Sequence, residues 1–271
     1  MKFIINADDL GISTEVNRSI CKCIEDNVIT SSTIMANGNA FEDVISMYSQ
    51  FPHISFGVHL VLDEYFPITR QNVFVRKGVV NEEGSFIRSG INKSIIDNEL
   101  KNAIYKEWCA QIERIQSEGI RISHMDSHHH VHTIPALYDV IRALSKKYDI
   151  RRVRLNSFLP PQIKLKTNKI LQNNQTSTLS NKYIPNISER IYAYCLNTYN
   201  FYRYKRTFKT TQYFMSSMYY IKNKDLFDRL LNSNTTIELM CHPGHANYKE
   251  ELALLYRYKD EINPRLSYKL L

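Results

Sequence analysis

The feature that most constrains the fold is a repeated alternation of short strand-like runs with segments of helical spacing. The run KFIINAD precedes a segment in which Val16, Ile20, Ile24 and Val28 recur at helical spacing behind the capping residue Ser13. Repeated βα units imply a mainly parallel sheet, and about seven of them predict a (β/α) barrel, although an open doubly wound sheet would read similarly. Further strands are predicted over SSTIMA, ISFGVHLVL, IRISHMDS, RRVRLNS, QYFMSS and TTIELMCHPG, and helices over 41–51, 97–118, 135–147 and NKDLFDRLLN.

The whole chain, residues 1–271, is expected to form one domain, because 43% of its residues are hydrophobic and no linker divides it. Two stretches interrupt the alternation. Residues near 63–92 are polar and contain three glycines, and residues near 160–185 are rich in Asn, Gln, Ser, Thr and Lys. Loops of this length in a compact domain are typical of lids or binding loops.

Charge and cysteine content favour a soluble cytoplasmic protein. The formal charge is +8, but basic residues alternate with acidic ones, so no nucleic-acid partner is expected. Five cysteines without CxxC spacing favour neither a disulfide framework nor a zinc knuckle. Asp8 and Asp9 interrupt the first apolar run before it could serve as a signal segment, and no later run is long enough to span a bilayer.

Between Tyr192 and Phe208 the chain interleaves aromatic and basic residues. Such a segment can offer a surface on which sugar rings or bases stack. The alternative is an amphipathic helix that packs its Tyr and Phe side chains against the barrel, and this second interpretation is favoured.

The segment SHMDSHHHVH, from Ser123 to His132, holds five of the nine histidines together with one carboxylate. Burying so many imidazoles at a strand end without a ligand would leave many donors and acceptors to satisfy. In a βα barrel the carboxyl ends of the strands converge on one face, which carries the functional groups. The polar residues at predicted strand ends are Asp8, Asp9, His59, Asp126, His128, His242 and His245.

A carboxylate and two imidazoles from different strands can hold a divalent cation and leave positions for water. The doubled acid suits a division of labour, in which one carboxylate binds the ion while its neighbour acts as a base. Adjacent acids diverge on a regular strand, so the turn after them must reorient one, and Gly11 could allow this. Simpler roles remain open: Asp8 and Asp9 could cap a helix, and His59 could be a hydrogen-bonded core residue.

Together these motifs resemble the YdjC/ChbG-type carbohydrate deacetylases, which include chitooligosaccharide deacetylases. NADDLG, ITSSTIMANG, FGVHLVL, SHMDSHHHVH and IELMCHPGH stand in that order over most of the chain. The resemblance implies a distorted (β/α) barrel related to polysaccharide deacetylases, and hydrolysis of an N-acetyl group on an amino sugar. It implies Asp9, His59 and His128 as metal ligands, Asp8 as general base, and His242 as the group that protonates the leaving amine or stabilises the oxyanion. The resemblance does not assign a role to His245. His124 and His132 are expected to have structural or supporting roles.

The resemblance implies magnesium as the ion, whereas two imidazoles and a carboxylate suit Zn²⁺, Mn²⁺ or Co²⁺ better. An N-acetylated saccharide is the expected substrate, and base rates favour a symmetric homodimer. A phosphoesterase is an alternative, with Arg152 and Arg154 available for a phosphate, a sugar or a pairing with Asp8. A non-catalytic protein that binds saccharide or nucleic acid is a second alternative, but it leaves the acids and histidines without a purpose.

Overall fold

The computed structural model describes residues 1–88, 90–91, 96–155, 187–262 and 266–271. Their strands form one six-stranded sheet in the order β4-β3-β2-β1-β6-β5, and every neighbouring pair is parallel. The carboxyl ends of all six strands therefore lie at one face. The strands are β1 (Lys2–Leu10), β2 (Ser31–Ile34), β3 (Ser55–Leu60), β4 (Met125–Ser127), β5 (Tyr213–Ser216) and β6 (Thr236–Cys241).

The two edges of the sheet are linked by a short extended segment. Val153 pairs with Met125 of β4, and Arg152 pairs with Lys209, which lies shortly before β5. The six strands thus curve into a half-barrel, and the predicted distorted barrel of about seven strands is confirmed as its fold class. The strand predicted over RRVRLNS is found only as these two bridges, and its last two residues lie outside the described ranges.

Helices cover the outside of the sheet. Ser13 caps the first as predicted, because its side-chain oxygen accepts from the N–H of Val16 at 3.3 Å. Among the described residues, three helices have no counterpart in the sequence prediction, namely the short α3 and α7 and the longer α9. The helices in the described ranges are α1 (Thr14–Glu25), α2 (Phe41–Tyr48), α3 (Asn72–Arg76), α4 (Asn98–Ser117), α5 (Tyr138–Tyr148), α6 (Ile187–Thr207), α7 (Ser217–Lys222), α8 (Lys224–Leu230) and α9 (Lys249–Ile262).

The core lies on both sides of the central strand. Every residue of β1 from Phe3 to Leu10 is buried, as expected for a parallel strand with both faces covered. On the interior side, Ile4 packs with Leu266 and Tyr268 from the last described segment. The ring of Tyr268 stacks on that of His124 with 3.8 Å between centroids.

The tyrosine-rich segment forms helix α6, which has a buried face and an exposed face among its described side chains. Phe201 and Tyr204 are buried, whereas Tyr199 and Tyr202 are exposed. The Tyr204 hydroxyl donates to the backbone oxygen of His132, which ties the helix to the histidine-rich segment. These contacts support the amphipathic helix. The polar stretch near 160–185 lies outside the described residues.

Candidate active site

The turn at the end of β1 brings both adjacent acids toward the interior. Asp9 has a left-handed backbone, with φ of 69°, and the pairing of β1 with β2 shifts register between Ala7 and Leu10. The expectation that the turn reorients one acid is met at Asp9 itself, while Gly11 continues the turn with φ of 99°. A left-handed conformation at a residue with a side chain is unusual, and it often marks a functional position.

Asp9, His59 and His128 converge on one point. The Oδ1 atom of Asp9 lies 3.1 Å from Nε2 of His59 and 2.9 Å from Nδ1 of His128. All three residues are buried, and their ligating atoms lie within 4.8 Å of one another. His128 begins a 3₁₀ turn, His128–Thr133, in which His129 and His130 have left-handed backbones. Two imidazole nitrogens and one carboxylate oxygen in this arrangement fit a divalent cation.

Each of the two imidazoles is held from behind by a second carboxylate. Oδ1 of Asp126 lies 2.7 Å from Nδ1 of His59, and Oε2 of Glu64 lies 2.6 Å from Nε2 of His128. If these ring nitrogens carry the protons, the other nitrogen of each ring faces Asp9 with a free lone pair, as a metal ligand must. Acids behind ligating histidines are a common support in metal sites.

Without a cation, the same carboxylates hold protons on the imidazoles. Burial lowers the pKa of His128, but hydrogen bonds with Asp9 and Glu64 outweigh it and raise that pKa to about 9. Burial likewise lowers the pKa of His59, but the charge of Asp126 and the hydrogen bonds with Asp126 and Asp9 outweigh it. The pKa of His59 is therefore well above its ordinary value. Burial raises the pKa of Asp9, yet the surrounding imidazoles bring it well below the usual range. The cluster therefore has a strong affinity for positive charge.

Asp8 is bound by an arginine rather than by the cluster. Two nitrogens of Arg154 donate to its two carboxylate oxygens at 2.6 and 2.7 Å, and Nδ2 of Asn6 donates at 2.8 Å. Burial opposes ionisation of Asp8, but the guanidinium overrides it and holds the pKa of this carboxyl well below its usual range. Asp8 is therefore an anion throughout the neutral pH range. It caps no helix among the described residues.

Arg154 is fully buried and bonded to three carboxylates. Besides Asp8, it contacts Asp126 at 2.8 Å and Glu238 at 2.6 Å. Burial raises the pKa of Glu238 to about 6, although Arg154 and Tyr268 partly offset it. The Tyr268 hydroxyl donates to Glu238, so the interior cluster connects the last described segment with the base of the cleft.

His242, at the end of β6, is supported by an acid on α9. Oε2 of Glu251 accepts from the backbone N–H of His242 at 2.8 Å and lies 3.4 Å from its Nδ1. The Ser217 hydroxyl fixes the other oxygen of Glu251 at 2.9 Å. Burial lowers the pKa of His242, but Glu251 and the two aspartates raise it overall. The ring of Tyr248 stacks on His242 with 4.3 Å between centroids.

His245 lies closer to the cluster than the sequence indicated. Its Nε2 is 3.1 Å from Oδ2 of Asp9, but the contact lacks the alignment of a hydrogen bond, and this nitrogen has no hydrogen-bond partner among the described residues. The predicted site residues thus meet in one place. The cleft has a volume of about 810 Å³, and its lining includes Asp8, Asp9, His59, His128, His242 and His245.

The remaining histidines of the 123–132 segment have different surroundings. Buried His124 contacts Asn6 and stacks on Tyr268, away from the cleft. Buried His132 contacts Ser127 and the backbone oxygen of Arg154, so both have the structural surroundings that were expected. His129 lies 2.7 Å from Asp63. His130 lines the cleft, and burial and the charge of Arg154 lower its pKa to about 3.

The sequence prediction missed two residues of this arrangement, Glu64 and Glu251. Glu64 stands in an irregular loop, and Glu251 stands at the start of a helix that was not predicted. A signal for Glu251 existed in the apolar spacing of residues 252–262, which would have placed it in the first turn of a helix after CHPGH. Arg154 was considered as a partner of Asp8, and the structure shows that pairing.

No helix in the described part of the chain combines the length and the apolar character needed to cross a membrane. A protein-family model described as YdjC-like protein matches residues 2–265. The carbohydrate deacetylase of Halalkalibacterium halodurans is 32% identical over 196 residues, which cover 72% of this chain and 81% of that protein. The carbohydrate deacetylase of Clostridium beijerinckii is 27% identical over 263 residues, which cover 95% and 87%.

Among solved structures, an Enterococcus faecalis V583 protein named for cellobiose-phosphate cleavage superposes with a TM-score of 0.69. The match covers 99% of this chain and 97% of the other, at 22% sequence identity. At that identity the likeness concerns the fold, and it agrees with the parallel half-barrel described above.

Proposed function

The chain belongs to the YdjC-like protein family, and from this membership and the geometry of the cleft we propose that it is a metal-dependent carbohydrate N-deacetylase. It would hydrolyse an N-acetyl group of an amino sugar or short saccharide and release acetate. The observation that carries the proposal is that one cleft holds the Asp9, His59 and His128 cluster together with an ionised Asp8 and a histidine of raised pKa, His242.

In this proposal Asp9, His59 and His128 hold one divalent ion. The ion would polarise the acetyl carbonyl and acidify the attacking water. Asp126 and Glu64 fix the two imidazole rings, so the ligating nitrogens do not need to be oriented when the ion binds. The donor set favours Zn²⁺, Mn²⁺ or Co²⁺ over the Mg²⁺ that the family resemblance implied.

Asp8 is the proposed general base, because Arg154 keeps it anionic and fixes the plane of its carboxylate. Its low pKa makes it a weak base, so Asp8 would need a water of lowered pKa as its proton donor, and a bound divalent ion would supply that acidity. His242 is the proposed acid, since its raised pKa keeps a proton available for the departing amine. The nitrogen of the broken amide bond takes that proton, and the water oxygen becomes part of acetate.

The geometry does not favour the phosphoesterase alternative. Arg154 is fully buried and committed to carboxylates, and Arg152 lines a different cavity from the cleft. The other two candidate metal groups among the described residues each reuse a ligand of the first. The ionisable groups that line the cleft are acids and imidazoles, and Arg88 is the one arginine among its lining residues in the described part of the chain. This lining suits a neutral amide better than a phosphate.

We also propose that the protein acts in the cytoplasm on its saccharide as a homodimer, without a nucleic-acid partner. All five cysteines are free thiols, which suits a reducing compartment. Light scattering after size-exclusion chromatography would test the dimer.

The test of the activity is acetate release from N-acetylglucosamine and its oligomers. Metal-loaded protein should release acetate, while chelated protein and Asp8→Asn should retain less than about one hundredth of the rate. Asp149→Asn, which changes an exposed acid outside the cleft, is the matched control and should keep the full rate. Undiminished release by Asp8→Asn would contradict the base assignment. Absence of acetate from every oligomer, with the ion bound, would contradict deacetylation of these sugars.

A further inference from the structure

A second large cavity, of about 1030 Å³, lies at the end of the half-barrel opposite the cleft. Ile54, Ser123 and Lys209 line it, and they stand shortly before β3, β4 and β5 in the chain. The cavity therefore lies at the amino ends of these strands, whereas the cleft lies at their carboxyl ends. The six residues of β3, about 20 Å in length, separate the two. In the described part of the chain no residue lines both, so a ligand here would not touch the proposed catalytic groups.

The lining of this cavity is strongly basic. Within the described residues it includes one acid, Asp149, and five bases, namely Arg121, Arg151, Arg152, Lys209 and Lys269. Over the whole chain the counts are 27 acids and 35 bases, so the excess of positive charge here is a local one. Cations gathered on a concave surface focus the electrostatic potential and attract anions.

Two of the arginines keep free donors. The side chain of Arg121 has no hydrogen-bond or ion-pair partner among the described residues, while its backbone N–H donates to the Tyr48 hydroxyl at 3.2 Å. Nε of Arg152 donates to the backbone oxygen of Leu271 at 3.2 Å, and its two Nη atoms have no partner within the described ranges. Arg151 is the base of the lining that is paired with Asp149, at 2.7 Å. A free guanidinium binds phosphate through two parallel N–H donors.

The two lysines also keep donors for a ligand. Nζ of Lys269 donates to the backbone oxygen of Pro52 at 2.6 Å, and Nζ of Lys209 donates to that of Leu271 at 3.4 Å. An ammonium group has three donors, so each bond leaves others available. The main chain beneath them is fixed, because the N–H of Lys209 donates to the oxygen of Arg151 at 2.9 Å. The cations are thus carried by an ordered backbone.

Another part of the lining is apolar. Phe51, Ile54 and Phe56 are buried and line the cavity. Small-ligand sites have volumes of roughly 300–1,000 Å³, so this cavity has room for more than a single inorganic phosphate. Several cations suit a ligand with several negative charges, and the apolar wall can contact an organic group attached to them.

We propose that this cavity binds a small molecule that carries a diphosphate or triphosphate group, with Arg121, Arg152 and Lys269 on the phosphates. The shared chemistry has two sources, a nucleotide or an inorganic polyphosphate. The proposal does not depend on the deacetylase function, because it concerns the other end of the half-barrel.

The experiment measures binding of ADP, pyrophosphate and inorganic phosphate to the metal-loaded protein by isothermal titration calorimetry. ADP and pyrophosphate should bind at least about tenfold more tightly than inorganic phosphate. Arg121→Gln and Lys269→Gln should each remove about tenfold of the affinity for both, and raised salt should weaken binding. Arg142→Gln, which changes an exposed arginine on α5 outside the cavity, is the matched control and should leave the affinities unchanged.

The titrations are repeated in chelator, because phosphates can also bind a metal ion in the cleft. Affinities that survive chelation and depend on Arg121 support the site. A nucleotide is the source if ADP binds more tightly than pyrophosphate, and an inorganic polyphosphate is the source if it does not. The proposal is overturned if chelation abolishes binding, if Arg121→Gln and Lys269→Gln behave like Arg142→Gln, or if neither ADP nor pyrophosphate binds at millimolar concentration.

Discussion

Glu251 accepts a hydrogen bond from the backbone N–H of His242 at 2.8 Å and lies 3.4 Å from the Nδ1 atom of the same residue. One buried carboxylate thus fixes both the main chain and the ring of the proposed acid. It also contributes to the raised pKa of His242. The interaction joins helix α9 to the end of β6.

Replacing Glu251 by Gln should lower the pKa of His242, because the neutral amide no longer favours the imidazolium. The proposed acid would then lose its proton at a lower pH, and the alkaline limb of the kcat profile should move to lower pH. At pH 8 we expect a loss of roughly tenfold in kcat. Rate profiles from pH 5 to 9 measure the shift, with Glu250→Gln, an exposed acid on the same helix, as control. An unmoved alkaline limb would contradict this role of Glu251.

Glu64→Gln should weaken metal binding, because Gln cannot accept as strongly from Nε2 of His128 as the carboxylate does. Loss of such a support typically costs about 10- to 100-fold in metal affinity. Competition of the protein with a coloured chelator for Zn²⁺ measures the affinity directly and requires no substrate. Glu82→Gln, in the same loop region but outside the lining of the cleft, is the control. Equal affinities of the two variants would exclude a supporting role for Glu64.

Arg154→Met should destabilise the protein strongly, because it leaves Asp8, Asp126 and Glu238 buried without their common partner. Removing one member of a buried ionic cluster costs on the order of 3–5 kcal/mol of unfolding free energy. Urea unfolding followed by circular dichroism gives the value. Arg151→Met removes an exposed arginine that pairs with Asp149 on the surface, and it should change stability little. A loss no larger than that of the control would show that the cluster does not need its cation.

Metal-free protein should become less stable as pH rises from about 6.5 to about 9. The folded pKa of His128 is raised to about 9 against an ordinary value of 6.5, so its protonation stabilises the folded state fully below pH 6.5. That contribution is lost as pH rises through the folded pKa. Urea midpoints measured in chelator across this range test the trend, and His128→Gln should flatten it. A midpoint that rises with pH in wild-type protein would contradict the assignment.

Much of the site was predictable because parallel strands bring their carboxyl ends together. Asp9, His59 and His128 stand at such ends, and the alternation of strands and helices was sufficient to place them on one face. The left-handed backbone of Asp9 was not predictable, since Asp is not a residue that requires it, and the register shift beside it depends on the pairing with β2. Glu251 reads as an ordinary acid of a helix's first turn until tertiary packing buries it.

The distribution of charge inside the barrel was less accessible to sequence reasoning. RRVRL shows three arginines of equal appearance, yet Arg154 is fully buried while Arg151 is exposed. Which arginine enters the interior depends on the two-residue pairing of Arg152 and Val153 with distant parts of the chain. A strand so short has no periodicity from which the direction of its side chains could be predicted.

The docking of Tyr268 inside the barrel has a consequence for synthesis on the ribosome. Leu266 donates its N–H to the oxygen of Phe3 at 2.9 Å, and Tyr268 packs between strand β1 and His124. Residues Phe3 and Ile4 of strand β1 therefore wait for partners that are synthesised more than 260 residues later. Until that segment emerges, Glu238 lacks its hydroxyl partner and the nascent chain carries an unfinished, partly charged interior. Native packing around Arg154 can therefore be completed only after residues 266–271 have left the ribosome.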